Sequence, residues 1–391
     1  MTSETSFTVG IDIRLIGKGR TGDEVVFFQL VRALIRRQDP DIRYQLFTDT
    51  HSDDSLAALR LNLGALGRED IQIISLPARN RFTWNGWVLP WRLFRYPVDV
   101  LHTQYILPLF LPRRLKVVTH IHDVSFRAHP EWISVLDRFF LALLIPRTLA
   151  RSDRLIAPSV FTRDEICVYF DVPPERIVII ANAAAEEWYQ PIPATEIEAV
   201  MMKYGLTRGQ YFISSGTLQP RKNIPFLIEA FHQSVHKHGL AHTLVLTGNP
   251  AGHNVDAGIR TAIGADRIMY TGYVSEADLR SLVAGAAAYV FPSLYEGFGI
   301  PIEEALAQGT TVLASDIPAF REIGRDRISY FDPRALAPLA DNLYTFSIRN
   351  GSARERQVGR SMPRAQIYSW PASAAKLAEL YRLLAGRPVN F

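Results

Sequence analysis

Short apolar runs alternate with helical stretches along most of the chain, and this alternation constrains the fold more than any other feature. Runs rich in valine, isoleucine, leucine and phenylalanine predict buried strands, and the amphipathic stretches between them predict helices. Such alternation is typical of a parallel, doubly wound α/β sheet. The predicted strands are Phe7–Ile11, Arg43–Thr48, Ile71–Ile74, Val98–His102, Lys116–Ile121, Arg154–Ala157 and Arg176–Ile180, then Tyr211–Ser215, Thr243–Thr247, Arg267–Tyr270, Ala288–Phe291, Thr311–Ala314 and Ile328–Tyr330.

The strands form two series, separated by a polar, proline-punctuated connection near Ala183–Thr195. A chain of 391 residues exceeds the size at which one hydrophobic core usually keeps growing. We therefore predict two Rossmann-like domains, residues 1–190 and 191–370, each with ligand-binding loops at the carboxyl ends of its strands. A further helix pattern at Ser369–Leu384 makes residues 371–391 a separate carboxyl-terminal element.

Charge and cysteine content narrow the function classes. The net charge is only +4, from 43 basic and 39 acidic side chains, so nucleic acid is not a predicted partner. The single cysteine, Cys167, can form neither an internal disulfide nor a zinc cluster, which favours a reducing, cytoplasmic compartment. The polar start at Met1–Ser6 lacks a signal-peptide pattern, and no apolar run reaches the ~20 residues that span a bilayer.

A glycine-rich turn follows the first predicted strand. Gly17–Gly22 matches the dinucleotide pattern G-x-G-x-x-G, but the nearest carboxylate that could hold a ribose, Asp49, lies beyond the usual ~20-residue offset. Three interpretations stay open, in this order: an anion site at a helix N-terminus with Lys18 and Arg20 beside it, a plain glycine turn, and a dinucleotide site.

Two short patterns suggest metal ligands without making a site. Asp39-Pro-Asp41 has the D-x-D form but lies at a helix-to-strand turn, where turn chemistry explains it. His120 and His122 share one face of a strand, with Asp123 beside them, yet no third and fourth ligand can be identified. No metal site is predicted.

Two adjacent cations, Arg221 and Lys222, follow the strand Tyr211–Ser215 on a loop before a helix. A guanidinium fork and an ammonium at a helix N-terminus suit a diphosphate. For an isolated Arg-Lys pair, however, solvated surface cations would be the simpler interpretation.

A second element, Tyr295–Ala305, overturns that simpler interpretation. Its glycines allow a ligand to approach the backbone, and Pro301 suits the first turn of a helix. The helix dipole accounts for Glu303 and Glu304, but not for Glu296 in the loop before the helix. Carboxylates at both places can bind hydroxyls of a polyol.

Glu296 and Glu304, with seven residues between them in the frame Tyr-Glu-Gly-Phe-Gly-Ile-Pro, resemble the E-x7-E element of the retaining glycosyltransferases of family 4. Gly216 with Arg221-Lys222-Asn223 resembles that family's donor-phosphate loop, and Gly272–Leu279 its nucleobase-side segment. The match is densest over Tyr211–Asp332 and thinner in the first half. It implies the GT-B fold, in which two Rossmann-like domains face each other across a cleft.

The resemblance also implies roles. The first domain would bind the acceptor, the second the nucleotide sugar, and the carboxyl-terminal helix would cross back to the first. Arg221 and Lys222 would neutralise the leaving diphosphate, Glu304 would bind the ribose and Glu296 the donor sugar, with His122 facing that sugar and the acceptor. Transfer would retain configuration and need neither cofactor nor metal. Further implied donor-side residues are Gly19, Gly216, Tyr273, Val274, Gly297, Phe298, Gly299 and Ile300, and further acceptor-side residues are Asp123 and Arg20.

Similar sequences include mannosyltransferases, so GDP-mannose is the leading donor and UDP-glucose the alternative. Two rivals come from other classes: a dinucleotide-dependent oxidoreductase, favoured only by Gly17–Gly22, and an inert sugar-binding scaffold.

Arg79–Tyr96 interleaves three tryptophans, two phenylalanines and four arginines. This mixture suits peripheral contact with anionic lipids at the inner face of the cell membrane. A polyprenyl-diphosphate-linked saccharide would then be a plausible acceptor. An amphipathic helix packed on the first sheet explains the segment equally well, since Trp84, Trp87 and Trp91 are expected to share a helical face.

Overall fold

The computed structural model describes residues 6–18, 22–248, 267–348 and 367–388. They form two compact units, residues 1–182 with 369–391 and residues 183–368. The division falls eight residues before the boundary set at residue 190, because the connecting turn Glu186–Tyr189 buries Trp188 in the core of the second unit.

The first unit contains a seven-stranded sheet in the order β3-β2-β1-β4-β5-β6-β7, and every neighbouring pair is parallel. All its strands therefore end at the same edge. Val98 packs into the core just before the fourth strand, which begins two residues later than expected. The strands are β1 (Phe7–Asp12), β2 (Ile42–Thr48), β3 (Ile71–Ser75), β4 (Val100–Gln104), β5 (Lys116–His120), β6 (Arg154–Ala157) and β7 (Ile177–Ile179).

The second unit contains a six-stranded parallel sheet in the order β10-β9-β8-β11-β12-β13. The predicted doubly wound α/β architecture is confirmed in both units. The strands of the second unit are β8 (Tyr211–Ser215), β9 (Thr243–Thr247), β10 (Ile268–Gly272), β11 (Ala288–Phe291), β12 (Val312–Ser315) and β13 (Ser329–Phe331).

Helices cover the sheets, and serine side chains cap several N-termini, for example Ser134, Ser159 and Ser275. In the first unit the helices are α1 (Asp23–Arg37), α2 (Asp53–Leu63), α3 (Arg81–Thr83), a π turn (Trp84–Val88), α4 (Leu89–Arg95), α5 (Ser125–Ala128), α6 (Val135–Arg151), α7 (Val160–Phe170) and, near the carboxyl terminus, Trp370–Leu384. In the second they are α8 (Ala194–Lys203), α9 (Ile224–His238), α10 (Glu276–Gly285), α11 (Ile300–Ala307), α12 (Pro318–Gly324) and α13 (Leu336–Ile348), and short 3-10 turns lie at Pro130–Trp132, Pro174–Arg176, Glu186–Tyr189 and Pro220–Lys222.

The expected common face of Trp84, Trp87 and Trp91 is wrong. Trp84 is fully buried and its Nε1 donates to Asp12 at 3.0 Å, whereas Trp87 and Trp91 are 74% and 67% exposed. The cause is the π turn, whose extra residue per turn rotates Trp84 away from the other two.

The carboxyl-terminal helix Trp370–Leu384, here α14, belongs to the first unit. Its Arg382 donates to Asp39 at 2.9 Å and to Asp41 at 2.7 and 2.8 Å, and the Tyr381 hydroxyl lies 2.6 Å from Nδ1 of His102. The Asp39-Pro-Asp41 turn therefore also anchors this helix.

Candidate active site

The loop after β8 fixes two cations. Gly216 has a φ of 135°. Its carbonyl oxygen packs against Gly248, where an added Cβ would lie 1.9 Å from that oxygen. The chain then forms the 3-10 turn that carries Arg221 and Lys222 and enters α9 through Asn223, which has a φ of 55°. Since the Asn223 amide donates to the Pro333 carbonyl at 3.1 Å, the cations stand on an anchored turn.

Glu296 joins both cations. Its Oε2 accepts from Nη1 of Arg221 at 2.6 Å, and its Oε1 accepts from Nζ of Lys222 at 2.6 Å and from the Ser293 hydroxyl at 2.9 Å. The loops are also joined through the backbone, because the Leu294 amide donates to the Arg221 carbonyl at 2.8 Å. The resemblance implies four catalytic residues, His122, Glu296, Arg221 and Lys222, and the last three of them form one cluster. Lys222 also borders a small pocket at the ends of β8, β9 and β11.

The cluster has a defined charge. Burial by itself would raise the pKa of Glu296, but the Arg221 guanidinium and then the Lys222 ammonium outweigh it and bring the pKa to about 2. The carboxylate is therefore ionised at neutral pH, and the three groups together carry one net positive charge. An incoming diphosphate would compete with Glu296 for the same donors.

Glu304 lies in α11 and is partly buried. Burial, and then the Glu276 carboxylate, raise the pKa of Glu304 to about 8. Burial raises the pKa of Tyr289, and Glu304 and Glu296 raise it further, so both carboxylates lie within electrostatic reach of this tyrosine. Glu303, by contrast, is fully buried and pairs with Arg327, which makes it structural.

The other donor-side residues that the structure describes lie in two segments of the second unit. Tyr273 is 77% exposed and Val274 is packed in the core directly after β10, two strands from β8. In the loop that contains Gly297 and precedes Ile300, Phe298 is buried. Gly299 has a φ of 115°, and a Cβ there would lie 2.9 Å from the Phe320 ring, so only glycine fits.

His122 lies in the first unit, just after β5. Its Nε2 lies 2.7 Å from Oε1 of Gln104, and because a carbonyl oxygen can only accept, Nε2 carries the proton. Nδ1 is left without a partner among the described residues. Asp123 instead accepts from the amide and hydroxyl of Ser125 and so shapes the turn. No sequence pattern indicates Gln104, which reaches His122 only through the pairing of β4 with β5.

Three histidines form a row in this unit. The rings of His120 and His122 stack with centroids 4.2 Å apart, and those of His102 and His120 with centroids 6.2 Å apart. Burial, with a smaller effect of His122, lowers the pKa of His102 to about 3 and that of His120 well below its ordinary value. Both are therefore neutral. Within the described ranges, no group of three or more histidine, cysteine, aspartate or glutamate side chains is arranged to hold a metal ion.

In the described part of the glycine turn, the backbone amides and the Lys18 ammonium bind carboxylates of the protein itself. The amides of Gly17 and Lys18 donate to the Glu24 carboxylate at 2.7 and 3.1 Å, and the Lys18 ammonium pairs with Asp49 at 2.7 Å. The anion bound at this helix N-terminus is thus Glu24. Asp49, the carboxylate that a dinucleotide ribose would need, is paired with Lys18. Gly19 and Arg20 lie outside the described residues.

Known families match both halves of the chain. The family model described as "Glycosyltransferase Family 4" matches residues 20–187, and that described as "Glycosyl transferases group 1" matches residues 198–344. The O-antigen chain mannosyltransferase B of Escherichia coli is 30% identical over 282 residues, which cover 70% of this chain and 72% of that protein. The chain belongs to glycosyltransferase family 4. A second relative, the phosphatidyl-myo-inositol mannosyltransferase of Mycobacterium tuberculosis, is 32% identical over 177 residues, 43% of this chain and 45% of that protein.

Solved structures agree with this family 4 assignment at the level of the fold. HepE from Anabaena, in complex with UDP and glucose, has a TM-score of 0.71 at 16% identity and covers 96% of this chain and 99% of its own. The fold is therefore GT-B, as the resemblance implied, and the protein is a glycosyltransferase similar to mannosyltransferases. The oxidoreductase interpretation of Gly17–Gly22 loses its basis.

Glu304 gives this glycosyltransferase a pH-dependent stability. Between its ordinary pKa of 4.5 and its folded pKa of about 8, the folded protein keeps a proton that the unfolded chain has lost, so stability falls as pH rises through this window. We expect Glu304→Gln to become more stable relative to wild type by roughly 2–4 kcal/mol from pH 5 to pH 8. Urea denaturation at four pH values measures the difference. Parallel profiles for the two proteins would show that Glu304 does not titrate in this range.

Gln104 is expected to position His122. In Gln104→Leu, Nε2 loses its acceptor, so the ring should populate both tautomers and transfer should fall by roughly tenfold. Proton–nitrogen spectra of ring-labelled histidine report the tautomer, and Gln104→Asn, which keeps an amide on a shorter side chain, should recover part of the activity. An unchanged tautomer with reduced transfer would assign Gln104 a merely structural role.

Proposed function

We propose that the protein transfers mannose from GDP-mannose to a saccharide acceptor, with retention of configuration and without a metal. The ion-bridged cluster carries the proposal, because Glu296 lies 2.6 Å from both Arg221 and Lys222. Two anchored cations suit a leaving diphosphate, and a carboxylate beside them suits sugar hydroxyls. Mannose is supported by the names of the relatives in Escherichia coli and Mycobacterium tuberculosis.

The proposed reaction is a single group transfer. The bond from mannose C1 to the β-phosphate oxygen of GDP breaks, and a bond from the acceptor oxygen to C1 forms on the same face. The acceptor proton passes to the departing phosphate, and GDP leaves. Arg221 and Lys222 stabilise the charge that develops on the diphosphate, which is the role a metal has in other transferases.

The remaining side chains bind and orient the substrates in this proposal. When the donor binds, Glu296 accepts hydrogen bonds from mannose hydroxyls in place of those from Arg221 and Lys222. Glu304 accepts hydrogen bonds from the ribose. His122 orients a substrate hydroxyl on the acceptor side. The first unit would then bind the acceptor and the second the donor.

A lipid-linked saccharide is the proposed acceptor class. It is supported by the words "O-antigen chain" and "phosphatidyl-myo-inositol" in the names of the two relatives. UDP-glucose is the alternative donor, supported by the UDP and glucose that HepE holds in the same fold.

A thermal-shift panel with GDP, UDP and NAD tests the donor, since a ligand that binds only the folded state stabilises it by about 2.7 kcal/mol at 100 times its Kd. We expect GDP to raise Tm most. A larger shift with UDP would move the proposal to a UDP-sugar, and a shift with NAD alone would overturn it. Release of mannose from GDP-mannose in the presence of EDTA would exclude an inert scaffold, and a requirement for added magnesium would contradict metal independence.

A further inference from the structure

The helix α6 exposes its apolar face. Val135, Phe139 and Leu143 lie at intervals of four residues on one side, and they are 83%, 65% and 61% exposed. Leu136, next to them, is 65% exposed. A surface helix of a globular protein normally presents polar side chains to water on that side.

The two arginines near the end of α6 bond to the neighbouring loop. Arg147 donates to the Pro108 carbonyl at 3.2 Å, and Arg151 donates to the carbonyls of Pro112 and Leu115 at 3.1 and 2.9 Å. These two arginines thus hold the loop at residues 108–115, whereas Val135, Phe139 and Leu143 on the same helix stay exposed.

The segment around α4 adds to this surface. Trp87, Trp91 and Phe94 lie at helical spacing on one side and are 74%, 67% and 58% exposed, while Leu89 and Leu93 on the other side are fully buried. Burial of the inner side means that the exposed rings are not needed for the core.

Contacts join these segments into one surface. The rings of Phe82 and Phe140 lie 5.6 Å apart, and Arg81 pairs with Asp137 at 3.3 Å. The Leu109 amide donates to a backbone carbonyl of the π turn at 2.8 Å. We call residues 79–96, 107–115 and 135–151 together the apolar face.

The charge of the apolar face selects its occupant. Its three segments contain nine arginines, of which Arg147 and Arg151 are bonded to loop carbonyls, and a single acidic residue, Asp137. A second copy of the chain would bring arginines against arginines. A bilayer with anionic headgroups would instead meet the arginines while its acyl region meets the tryptophans and phenylalanines. Among the described residues, no helix is long and apolar enough to cross a membrane.

We propose that the apolar face docks the first unit onto the surface of an anionic lipid bilayer, with the exposed side of α6 inserted beside the rings of Trp87 and Trp91. The surface extends well beyond the Arg79–Tyr96 segment that the sequence indicated. It is independent of the donor, so it stands or falls separately from the proposed mannosyl transfer.

Vesicle flotation of the full chain without nucleotide tests this proposal. We expect the wild type to float with vesicles that contain phosphatidylglycerol, at least tenfold more than with phosphatidylcholine alone, and less at high salt. The variants are Phe139→Ser/Leu143→Ser in α6 and Trp87→Ser/Trp91→Ser. Val168→Ser is the matched control, because Val168 is 78% exposed on α7 and lies outside the apolar face.

Each double variant is expected to lose at least tenfold in vesicle binding, whereas Val168→Ser binds like wild type. Circular dichroism melting should be unchanged in all three, because the replaced side chains are exposed. Absence of flotation would overturn the proposal. So would full binding by the α6 variant, or a dimer in sedimentation that this variant disperses, since the face would then serve a second copy.

Discussion

Replacing Lys222 with alanine is expected to lower kcat by about 100- to 1,000-fold while the fold stays intact. The ammonium lies 2.6 Å from Glu296 and 4.9 Å from the centre of the Phe291 ring, on an anchored turn. Its charge is therefore already oriented before the diphosphate leaves, and no other described lysine contacts Glu296. Initial rates of mannose transfer or of donor hydrolysis measure the loss.

Two matched variants separate charge from packing. Lys222→Met keeps methylenes against Gly216 and Phe291 and should lose as much activity as the alanine variant. Lys222→Arg keeps the charge and should retain more activity than either. Undiminished transfer by Lys222→Ala would remove this residue from the catalytic set.

Replacing Glu296 with glutamine is expected to reduce transfer by at least 100-fold and yet preserve or tighten the binding of GDP. The substitution removes the counter-charge of Arg221 and Lys222, so the cluster changes from one net positive charge to two. The added positive charge should strengthen the binding of a diphosphate, whereas the donor sugar no longer has the Glu296 carboxylate to accept its hydroxyls. Calorimetric titration with GDP, beside initial rates, measures both effects.

The same variant should alter acid stability. The pKa of Glu296 is depressed from 4.5 to about 2, so its stabilising contribution is present above pH 4.5 and is lost as pH falls toward 2. Glu296→Gln should be less stable than wild type at pH 7, by about 3 kcal/mol, and the difference should shrink toward pH 2. Ser293→Ala, which removes one hydrogen bond and no charge, should change transfer little. Equal losses of GDP binding and transfer in Glu296→Gln would indicate a structural role instead.

The central strands could be predicted because they are short apolar runs buried on both sides of a sheet, as β1, β8 and β11 show. The edge strands β3 and β10 are less buried but keep enough apolar residues to be recognised. The helices α2 and α12 could not be predicted, since α2 buries only three residues and α12 has only seven. The hydrophobic pattern of the sequence predicts an element well where the element is continuously buried, and poorly where the element is short or buries few residues.

The candidate site was predicted in part. Sequence spacing identified Arg221, Lys222 and Glu296, but the bridge between them depends on how two loops at the ends of β8 and β11 meet. Likewise, adjacent glutamates look alike in sequence, and only the phase of α11 directs Glu303 inward to Arg327.

The apolar face shows the limit of pattern more clearly. Apolar residues surround much of α6, so its sequence does not indicate which side the sheet covers. The π turn, which buries Trp84 and exposes Trp87, likewise has no evident sequence signature. Both features depend on tertiary packing.

Metal-independent catalysis by the Arg221, Lys222 and Glu296 cluster is tested by release of mannose from labelled GDP-mannose in EDTA, measured side by side for wild type, Lys222→Met and Glu296→Gln. We expect slow release by the wild type without acceptor, and release at least 100-fold slower by both variants although both remain folded. Equal release by all three proteins, or no release by the wild type unless magnesium is added, would contradict it.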